Sequence, residues 1–289
     1  MTAETHSAVL MDGTAVARRI VERAAADAAA LTARTGVTPC LATVLVGSDP
    51  ASVIYVRMKQ NRSAKAGIGS RHVELPETAT TAELVAALTG LSQDPGVHGI
   101  LLQHPVPPQI DERAAFEAIA PEKDVDGVTT RSFAAMAFGE PGFVSATPGG
   151  ILRLLDAYAV DLAGRHAVVV GRGPILGKPV GMLLLARDAT VTYCHSKTAD
   201  LASHTRRADV LVAAVGKPRF LTGEAVKPGA VVIDAGYNPG NVGDVDFDSA
   251  AAKARLITPV PGGVGPMTIA VLLEQTVAAA ARQVTRSRS

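Results

Sequence analysis

The chain has 289 residues, 47% of them hydrophobic, which is enough for one large domain or two of ordinary size. Its 28 basic and 27 acidic residues leave a net charge of +1, so partners such as nucleic acid or an anionic membrane are not expected. Cys40 and Cys194 lie far apart without CxxC spacing, which excludes a disulfide framework and a cysteine-based zinc site; no metal is expected.

The N-terminus has no basic start leading into an apolar core, and no long uninterrupted apolar run follows it. We therefore expect a cytoplasmic protein whose partners are small molecules.

The first half of the sequence alternates predicted helices with predicted buried strands. A helix is predicted over Ala15–Ala33, and the apolar run Leu41–Gly47 is typical of a strand buried on both faces of a parallel sheet. The elements predicted next are a helix over Ser52–Ala66, the strand "RHVEL", a helix over Thr81–Leu91, the strand "GILLQ" and a helix over Asp111–Ile119. This order predicts an α/β domain built from βαβ units.

Two side chains in the predicted helix Ser52–Ala66 could contact one ligand. Tyr55 and Lys59 are four residues apart, so they share a helix face. A lysine beside an aromatic ring can lose solvent, which lowers its pKa and suits it to proton transfer. An exposed lysine and an interfacial tyrosine are the alternative, which is more common on spacing alone. Short-chain dehydrogenases also have a catalytic Y-x-x-x-K pair. Membership of that class is excluded, because in those enzymes the pair follows the glycine-rich cofactor motif, whereas in this sequence it precedes the glycine cluster that begins at Gly171.

Polar residues follow the strand "GILLQ" and occupy the loop "PEKDVDG". Gln103 lies at a strand end, where ligands bind in open α/β sheets, and could hold Lys59 by a hydrogen bond. The alternatives are strand-end capping for Gln103 and space filling for its neighbour His104. Asp124 or Asp126 could bind a nitrogen-rich ring, although an Asp-Gly turn alone would also explain the loop.

A change of composition marks the predicted domain boundary. The segment "EPGFVSATPGG" is rich in proline, glycine and serine, and Thr147-Pro148 has the pattern of an N-cap followed by proline at the first helical position. A helix over Pro148–Tyr158 leads into the predicted strands "HAVVV", "TVTYC", "DVLVAAV" and "AVVIDAG". A last helix, Met267–Ala281, is expected to pack back on the first domain. The expected domains are residues 1–146 with 267–289, and residues 147–266.

The turn after "HAVVV" has the features of a dinucleotide-binding site. Gly171, Gly173 and Gly177 form G-x-G-x-x-x-G, one residue longer than the common pattern, and would allow a tight turn, close approach of a pyrophosphate and close helix packing. An ordinary βα loop is the alternative. The next strand end, "TYCHSKT", lacks the acidic residue of NAD-specific folds. Arg172 and Ser196 could hold a 2′-phosphate there, which favours NADP, although a surface cation and a helix cap would also explain them.

The segment "PVPGGVGPMT" is unusually stiff and unusually rich in glycine. Its prolines fix φ, whereas Gly262, Gly263 and Gly265 permit positive φ or close approach of a ligand. It could simply lead rigidly into the last helix, but its position between the two predicted domains favours contact with a ligand.

One family has all of these segments in the same order: "YVRMK", "LLQHPVP", "PEKDVDG", "GRGPILGKP", "CHSKT", "AVGKP", "VVIDAGYN", "GDVDF" and "TPVPGGVGPMT". From about Leu10 to Ala280 the sequence closely resembles the bifunctional methylenetetrahydrofolate dehydrogenase/cyclohydrolase family. The resemblance implies a two-domain α/β fold: an N-terminal folate-binding catalytic domain, a Rossmann-like NADP domain and a cleft between them. It also implies a homodimer that associates through the cofactor domains.

The resemblance also implies roles for individual residues. Lys59 would be the catalytic lysine, Tyr55 would pack against the folate, Gln103 would position the lysine and Asp126 would bind the pterin. The implied cofactor residues are Gly171, Arg172, Gly173, Gly177, Ser196 and Tyr237, of which Tyr237 replaces a smaller aliphatic residue. The implied lining of the folate site is Pro261, Gly262, Gly263, Val264 and Gly265.

The implied function belongs to one-carbon metabolism, including the supply of purine biosynthesis. It is NADP-dependent oxidation of 5,10-methylenetetrahydrofolate to the methenyl form, followed by hydrolysis to 10-formyltetrahydrofolate. A member with one activity and a non-catalytic NADP-binding regulator are alternatives; a regulator would not need Tyr55, Lys59, Gln103 and Asp126 together. The sequence departs from the family pattern at His104, within residues 128–148, and at Gln275, where asparagine is common.

Overall fold

The computed structural model describes residues 8–47 and 61–286, and these residues form two compact units. The six-stranded unit contains the chain up to Ala17 together with Thr147–Thr268, and the three-stranded unit contains Arg18–Ala146 together with the chain from Ile269. This division differs from the expected one because the N-terminal residues group with residues 147–268. The second boundary lies after Thr268 rather than after residue 266.

The strands and helices of the described residues follow in chain order. The strands are β1 (Val9–Leu10), β2 (Cys40–Val46), β3 (Gly69–Leu75), β4 (Gly99–Leu102), β5 (His166–Val170), β6 (Thr190–Cys194), β7 (Val210–Ala213), β8 (Val231–Asp234) and β9 (Leu256–Ile257). The helices are α1 (Gly13–Thr35), α2 (Thr81–Gln93), α3 (Glu112–Glu117), α4 (Thr130–Phe138), α5 (Ala146–Ala157), α6 (Gly177–Leu185), α7 (Leu201–Thr205), α8 (Phe247–Ala251) and α9 (Val264–Arg286). Residues 61–65 are also helical.

The six-stranded unit is built on a parallel sheet with the strand order β1-β9-β8-β7-β5-β6. Strands β7 and β8 are fully buried, and β5 is buried from Ala167 onward, as expected for apolar strands covered on both faces. The chain passes from β5 to β6 on one side and then returns to β7 on the other side of β5. The strand order therefore reverses at β5, and ligands bind at such a switch point in open α/β sheets.

The three-stranded unit has the parallel order β3-β2-β4. Its core joins Leu41 of β2 and Leu101 of β4 to Ile269, Leu272 and Leu273 of α9. Burial of an aliphatic side chain of this size contributes about 1.5–3 kcal/mol, so the last helix is a substantial part of this core. By length and composition alone α9 could span a membrane, but 67% of its apolar window is buried inside the protein, as in the core helix of a globular domain.

Polar side chains fix several helix ends in the three-stranded unit. Thr80 and Glu83 form a capping box at the start of α2, an arrangement that contributes about 1 kcal/mol. At the other end of α2, the Lys123 Nζ donates to the Asp94 main-chain oxygen at 2.6 Å and lies 3.4 Å from the Leu91 oxygen. Lys123, from the loop "PEKDVDG", is therefore a C-terminal cap of α2.

Two local predictions were wrong, and two short strands were missed. Strands β1 and β9 were not predicted. Helix α9 begins at Val264 rather than Met267. The predicted N-cap at Thr147 is wrong, because α5 begins at Ala146 and the Thr147 hydroxyl instead shares a 2.9 Å hydrogen bond with the hydroxyl of Thr268.

Candidate active site

The glycine turn lies directly after β5, at the switch point of the six-stranded sheet. Gly171 has a φ of 124°, and a Cβ on this residue would lie 2.0 Å from the main-chain oxygen of Ala214. Gly177 is the first residue of α6, and a Cβ there would lie 2.5 Å from the Gly171 oxygen. Both positions therefore exclude a side chain, whereas no atom comes within 4 Å of a Cβ built on Gly173.

The start of α6 is suited to an anion. Leu176 occupies the N-cap position and supplies no side-chain hydrogen bond to the first turn. The helix dipole favours negative charge at this end, and Gly173 leaves open space beside the turn. Gly171 and Gly177 thus let the turn pack tightly against the main chain, and the open space beside Gly173 at the start of α6 fits the pyrophosphate of a dinucleotide.

Arg172 and Ser196 follow neighbouring strands in equivalent positions. Val170 pairs with Cys194 in the β5–β6 register, so each residue lies two positions beyond a paired strand end. The turn that contains Ser196 is held by its own hydrogen bonds: the His195 N–H donates to the Thr198 hydroxyl at 2.8 Å, and the Lys197 N–H donates to the His195 Nδ1 at 3.1 Å. Both Arg172 and Ser196 are exposed at the carboxyl edge of the sheet.

Tyr237 lies in the loop after β8. Its side chain is 57% exposed, and its hydroxyl donates to the Asn241 side-chain oxygen at 2.7 Å. A short antiparallel bridge between Asn238 and Val242 closes this loop. The larger side chain is therefore accommodated at the surface rather than in the core.

Two buried carboxylates hold the loops after β7 and β8, namely those of Asp244 and Asp234. No role was predicted for either residue from the sequence. Asp234 ends β8 and accepts from the N–H groups of Gly236, Asp244 and Val245. Burial raises the pKa of Asp234 above its ordinary value, while these three hydrogen bonds oppose the rise. A carboxylate at the end of an apolar strand, in "VVIDAG", was the available signal.

The loop "PVPGGVG" is held against the start of α1, within the six-stranded unit. The Thr14 N–H donates to the Gly262 oxygen at 3.0 Å, and a Cβ on Gly13 would lie 1.8 Å from the Gly263 oxygen. Gly262 has a φ of 105°, which favours glycine. Pro261, Gly262 and Gly263 form the loop, whereas Val264 and Gly265 are the first residues of α9, with the Val264 side chain buried. The contacts of Gly13 and Thr14 could not be predicted from the sequence, because their partners lie about 250 positions away.

In the three-stranded unit, the two carboxylates of "PEKDVDG" have different surroundings. Asp124 is fully buried and accepts from the N–H groups of Val128 and Thr129 at 3.1 and 3.0 Å. Asp126 is half-buried, and its main-chain oxygen accepts from the Ala146 N–H at 3.1 Å. Asp124 therefore builds the turn, and Asp126 is the residue of this pair that is partly exposed.

The same turn is held by Gln275 of α9. The Gln275 Nε2 donates to the main-chain oxygens of Val125 and Val144 at 2.8 and 2.9 Å, and its Oε1 accepts from the Val144 N–H at 3.2 Å. The residue that departs from the family's common asparagine thus joins two segments next to Asp126. It acts as a structural clamp.

Gln103 follows β4 directly, and its N–H continues the sheet pattern by donating to the Val44 oxygen at 2.8 Å. Its side-chain Nε2 donates to the His104 main-chain oxygen at 3.0 Å, and the residue is half-buried. The His104 ring packs edge-on against Phe116 with 6.1 Å between ring centroids. His104 therefore has the space-filling contact that the sequence allowed.

Tyr55 and Lys59 lie outside the described residues. Among the described residues, no group of three or more His, Cys, Asp or Glu side chains could hold a metal ion. The described candidate residues therefore form two groups, each considered by itself. One is the glycine turn with the loops around it in the six-stranded unit, and the other is Gln103 with Asp126 in the three-stranded unit.

A parallel sheet with a glycine turn at its switch point and an uncapped helix start beside it defines a Rossmann-like dinucleotide-binding protein. Two family models match the chain: "Tetrahydrofolate dehydrogenase/cyclohydrolase, catalytic domain" over residues 11–126, and "Tetrahydrofolate dehydrogenase/cyclohydrolase, NAD(P)-binding domain" over residues 145–284. The chain belongs to the tetrahydrofolate dehydrogenase/cyclohydrolase family.

Individual relatives are similar over almost their whole length. "Bifunctional protein FolD 1" of Streptomyces avermitilis is 77% identical over 279 residues, which cover 96% of this chain and 97% of the relative. The crystal structure of the bifunctional enzyme FolD from Campylobacter jejuni has 42% identity and a TM-score of 0.92, covering 95% of this chain and 99% of that chain. The Trypanosoma brucei enzyme complexed with NADP and an inhibitor has 39% identity and a TM-score of 0.92, covering 96% and 98%.

Proposed function

We propose that this protein is bifunctional. It oxidises 5,10-methylenetetrahydrofolate to 5,10-methenyltetrahydrofolate with NADP⁺ and then hydrolyses the product to 10-formyltetrahydrofolate. The observation that carries the proposal is the occurrence of both family domains in one chain, with the glycine turn of Gly171 and Gly177 built at the switch point. The 77% identity to a relative named bifunctional supports both activities rather than one.

The oxidation depends mainly on orientation. The methylene carbon lies between two nitrogens, whose lone pairs stabilise the cation that remains when a hydride leaves. NADP⁺ supplies the hydride acceptor when it is bound. The protein's contribution is to hold the reactants in a productive geometry, which removes much of the entropic cost of the reaction. We assign the pyrophosphate to the turn at Gly171 and Gly173 and the start of α6 at Gly177.

We assign the 2′-phosphate of the cofactor to Arg172 and Ser196. Both are exposed at adjacent strand ends, and the guanidinium can form a charge-assisted pair with a phosphate. The four residues after β6, His195 to Thr198, include no carboxylate that would repel it. Tyr237, after β8, is assigned to the same cofactor site.

The hydrolysis needs a proton carrier. Water attacks the methenyl carbon, and we propose that Lys59 moves the protons as the ring opens. Gln103, at the end of β4, is proposed to position that lysine, and Tyr55 to pack against the folate. Asp126, a partly exposed residue beside the turn that Asp124 holds, is proposed to bind the pterin, as the family resemblance implies.

We propose that the segment Pro261, Gly262, Gly263, Val264 and Gly265 lines the folate site. The anchoring of this loop by Gly13 and Thr14 supports the assignment, because a loop fixed by main-chain contacts presents a defined surface to a ligand.

Replacement of the proposed proton carrier tests the proposal. Lys59→Ala should slow methenyltetrahydrofolate hydrolysis by about 10²–10⁴-fold, because general acid–base catalysis contributes about that much. The decay of the methenyl substrate and the formation of NADPH are measured in separate assays. Lys65→Ala is the matched control, since Lys65 is an exposed lysine in the helical residues 61–65.

The outcomes separate the alternatives. Hydrolysis at the wild-type rate by Lys59→Ala would contradict the assigned role of Lys59. A wild-type protein that performs only the oxidation or only the hydrolysis would be a single-activity member. Tight NADP binding without turnover of either folate would indicate a regulator.

We further propose a cytoplasmic homodimer that supplies one-carbon units, including those used in purine biosynthesis. The family resemblance supports the dimer through the cofactor units, and the free thiols of Cys40 and Cys194 suit a reducing compartment. Light scattering on the purified protein should give twice the mass of one chain, and a single-chain mass would contradict the dimer.

A further inference from the structure

Asp244 has an unusual set of partners for a completely buried carboxylate. Its relative exposure is 0%, and among the described residues no cation forms an ion pair with it. One carboxylate oxygen accepts from the N–H groups of Val215 at 2.6 Å and Gly216 at 2.9 Å. The other accepts from the Lys217 N–H at 2.9 Å and the Asn238 Nδ2 at 3.0 Å. Four donors therefore replace the solvation that the charge lost on burial.

The three successive main-chain donors belong to the loop after β7. Gly216 has a φ of 64°, which lets the three N–H groups converge on one carboxylate. The residue before this loop, Ala214, has its main-chain oxygen 2.0 Å from the position that a Cβ on Gly171 would occupy. Asp244 therefore fixes a loop that packs directly against the glycine turn.

Asp234 in turn fixes Asp244. The Asp234 carboxylate accepts from the main-chain N–H groups of Asp244 and Val245, both at 2.9 Å. Two glycines leave room for the carboxylates: a Cβ on Gly243 would lie 1.9 Å from the Asp234 Oδ2, and a Cβ on Gly236 would lie 2.2 Å from the Asp244 Cγ. A series of hydrogen bonds between carboxylates and main-chain N–H groups thus connects the end of β8 to the loop after β7.

The position of this loop relates it to one half of the cofactor. Ser196 follows β6 on one side of β5, and Val215 follows β7 on the other side. A dinucleotide lies across the switch point, so the half that carries the 2′-phosphate lies toward β6 and the nicotinamide half lies toward β7. The loop Val215–Lys217 is therefore at the nicotinamide side.

We propose that Asp244 is a positioning residue for the nicotinamide half of NADP: its carboxylate, oriented by Asp234, sets the main chain of Val215–Lys217 beside the glycine turn. This inference rests on the proposed function, because it requires NADP in the site. Asp244 acts through the loop and need not touch the cofactor.

The isosteric change Asp244→Asn tests the proposal. Each carboxylate oxygen faces two donors, so the amide NH₂ of asparagine would face two donors in either orientation. We expect the KM for NADP⁺ to rise roughly tenfold, as for loss of a charge-assisted hydrogen bond. Methenyltetrahydrofolate hydrolysis, which uses no NADP, should stay within about twofold of wild type, a difference of under about 0.5 kcal/mol. Asp248→Asn, at an exposed position in α8, is the control.

A second variant covers a failure of Asp244→Asn to fold. Gly216→Ala strains the loop at its φ of 64° without a clash, since no atom lies within 4 Å of the added Cβ, and leaves Asp244 intact. It should show the same selective rise in KM for NADP⁺. Parallel losses of both activities, or an unchanged KM in both variants, would overturn the positioning role. A wild type that does not reduce NADP⁺ at all would instead overturn the proposed function.

Discussion

The two edges of the six-stranded sheet are built in different ways. The carboxyl edge is formed by main-chain groups: the glycine turn after β5 and the loops that donate to Asp234 and Asp244. The amino edge has a cavity of about 410 Å³, lined in part by Arg165, Asp209 and Lys227, where an ion pair between side chains adds to the main-chain hydrogen bonds. There the Lys227 Nζ lies 2.6 Å from an Asp209 carboxylate oxygen, and both side chains are partly exposed.

The difference shows where this fold requires precise geometry. Main-chain groups have few alternative conformations once glycines and buried carboxylates fix them, so the carboxyl edge can present a defined surface to a ligand. Partly exposed ion pairs contribute only about 0–1 kcal/mol and tolerate substitution. We therefore expect substitutions at the carboxyl edge to change cofactor binding and comparable substitutions at the amino edge to change stability alone.

Of the substitutions that compare the two edges, the larger effect is expected from a matched pair of glycines on either side of β5. Gly171→Ala places a Cβ 2.0 Å from the Ala214 oxygen at a φ of 124°, so it should weaken NADP⁺ binding roughly 10- to 100-fold, the equivalent of about 1–3 kcal/mol of strain. Gly164→Ala, before β5, also has a positive φ but open space around the added Cβ. Titration calorimetry should show wild-type NADP⁺ affinity for Gly164→Ala, and an equal loss in both variants would remove the distinction between the edges.

A smaller effect is expected at the amino edge, from Asp209→Asn. The hydrogen bond from Lys227 and that from the His166 N–H hold the pKa of Asp209 below its ordinary value of 3.8. A lowered folded-state pKa stabilises the protein above the unfolded-state pKa, and this stabilisation is lost as the pH falls through the folded-state value. Wild type should therefore be more stable than Asp209→Asn by up to about 1 kcal/mol at pH 7.

Denaturant unfolding at neutral and acid pH measures this difference. It should shrink toward zero when the pH falls well below 3.8, while the KM for NADP⁺ remains unchanged at neutral pH. A stability difference that persists in acid would mean that the Asp209 charge is not its source.

Local sequence patterns predicted the centre of this fold well. Strands β5 and β6 have the bounds predicted from "HAVVV" and "TVTYC", because short runs of β-branched and aromatic residues between turn residues favour a strand. Strands β1 and β9 were not predictable in this way. Each has two residues, and Val9 pairs with Leu256, so neither has a local pattern of its own.

The candidate site, like the fold, has one part that could be predicted from the sequence and another that could not. The glycine turn could be predicted because its spacing is local, and the resemblance supplied Gln103 and Asp126. The roles of Asp244 and Gln275 could not be predicted, because their main-chain partners lie 27–29 and 131–150 positions away. An aspartate or glutamine in a polar loop or on a helix gives no sign of such partners until the fold brings them together.

Hydrogen exchange of the main-chain amides with and without NADP⁺ tests the central claim most directly, namely that the carboxyl edge of the six-stranded sheet binds the cofactor. Exchange should slow in the segments that contain Gly171–Gly177, Ser196 and Val215–Lys217, and it should be unchanged around Arg165 and Lys227. Slower exchange confined to the amino edge, or no change in the glycine turn at saturating NADP⁺, would contradict the account.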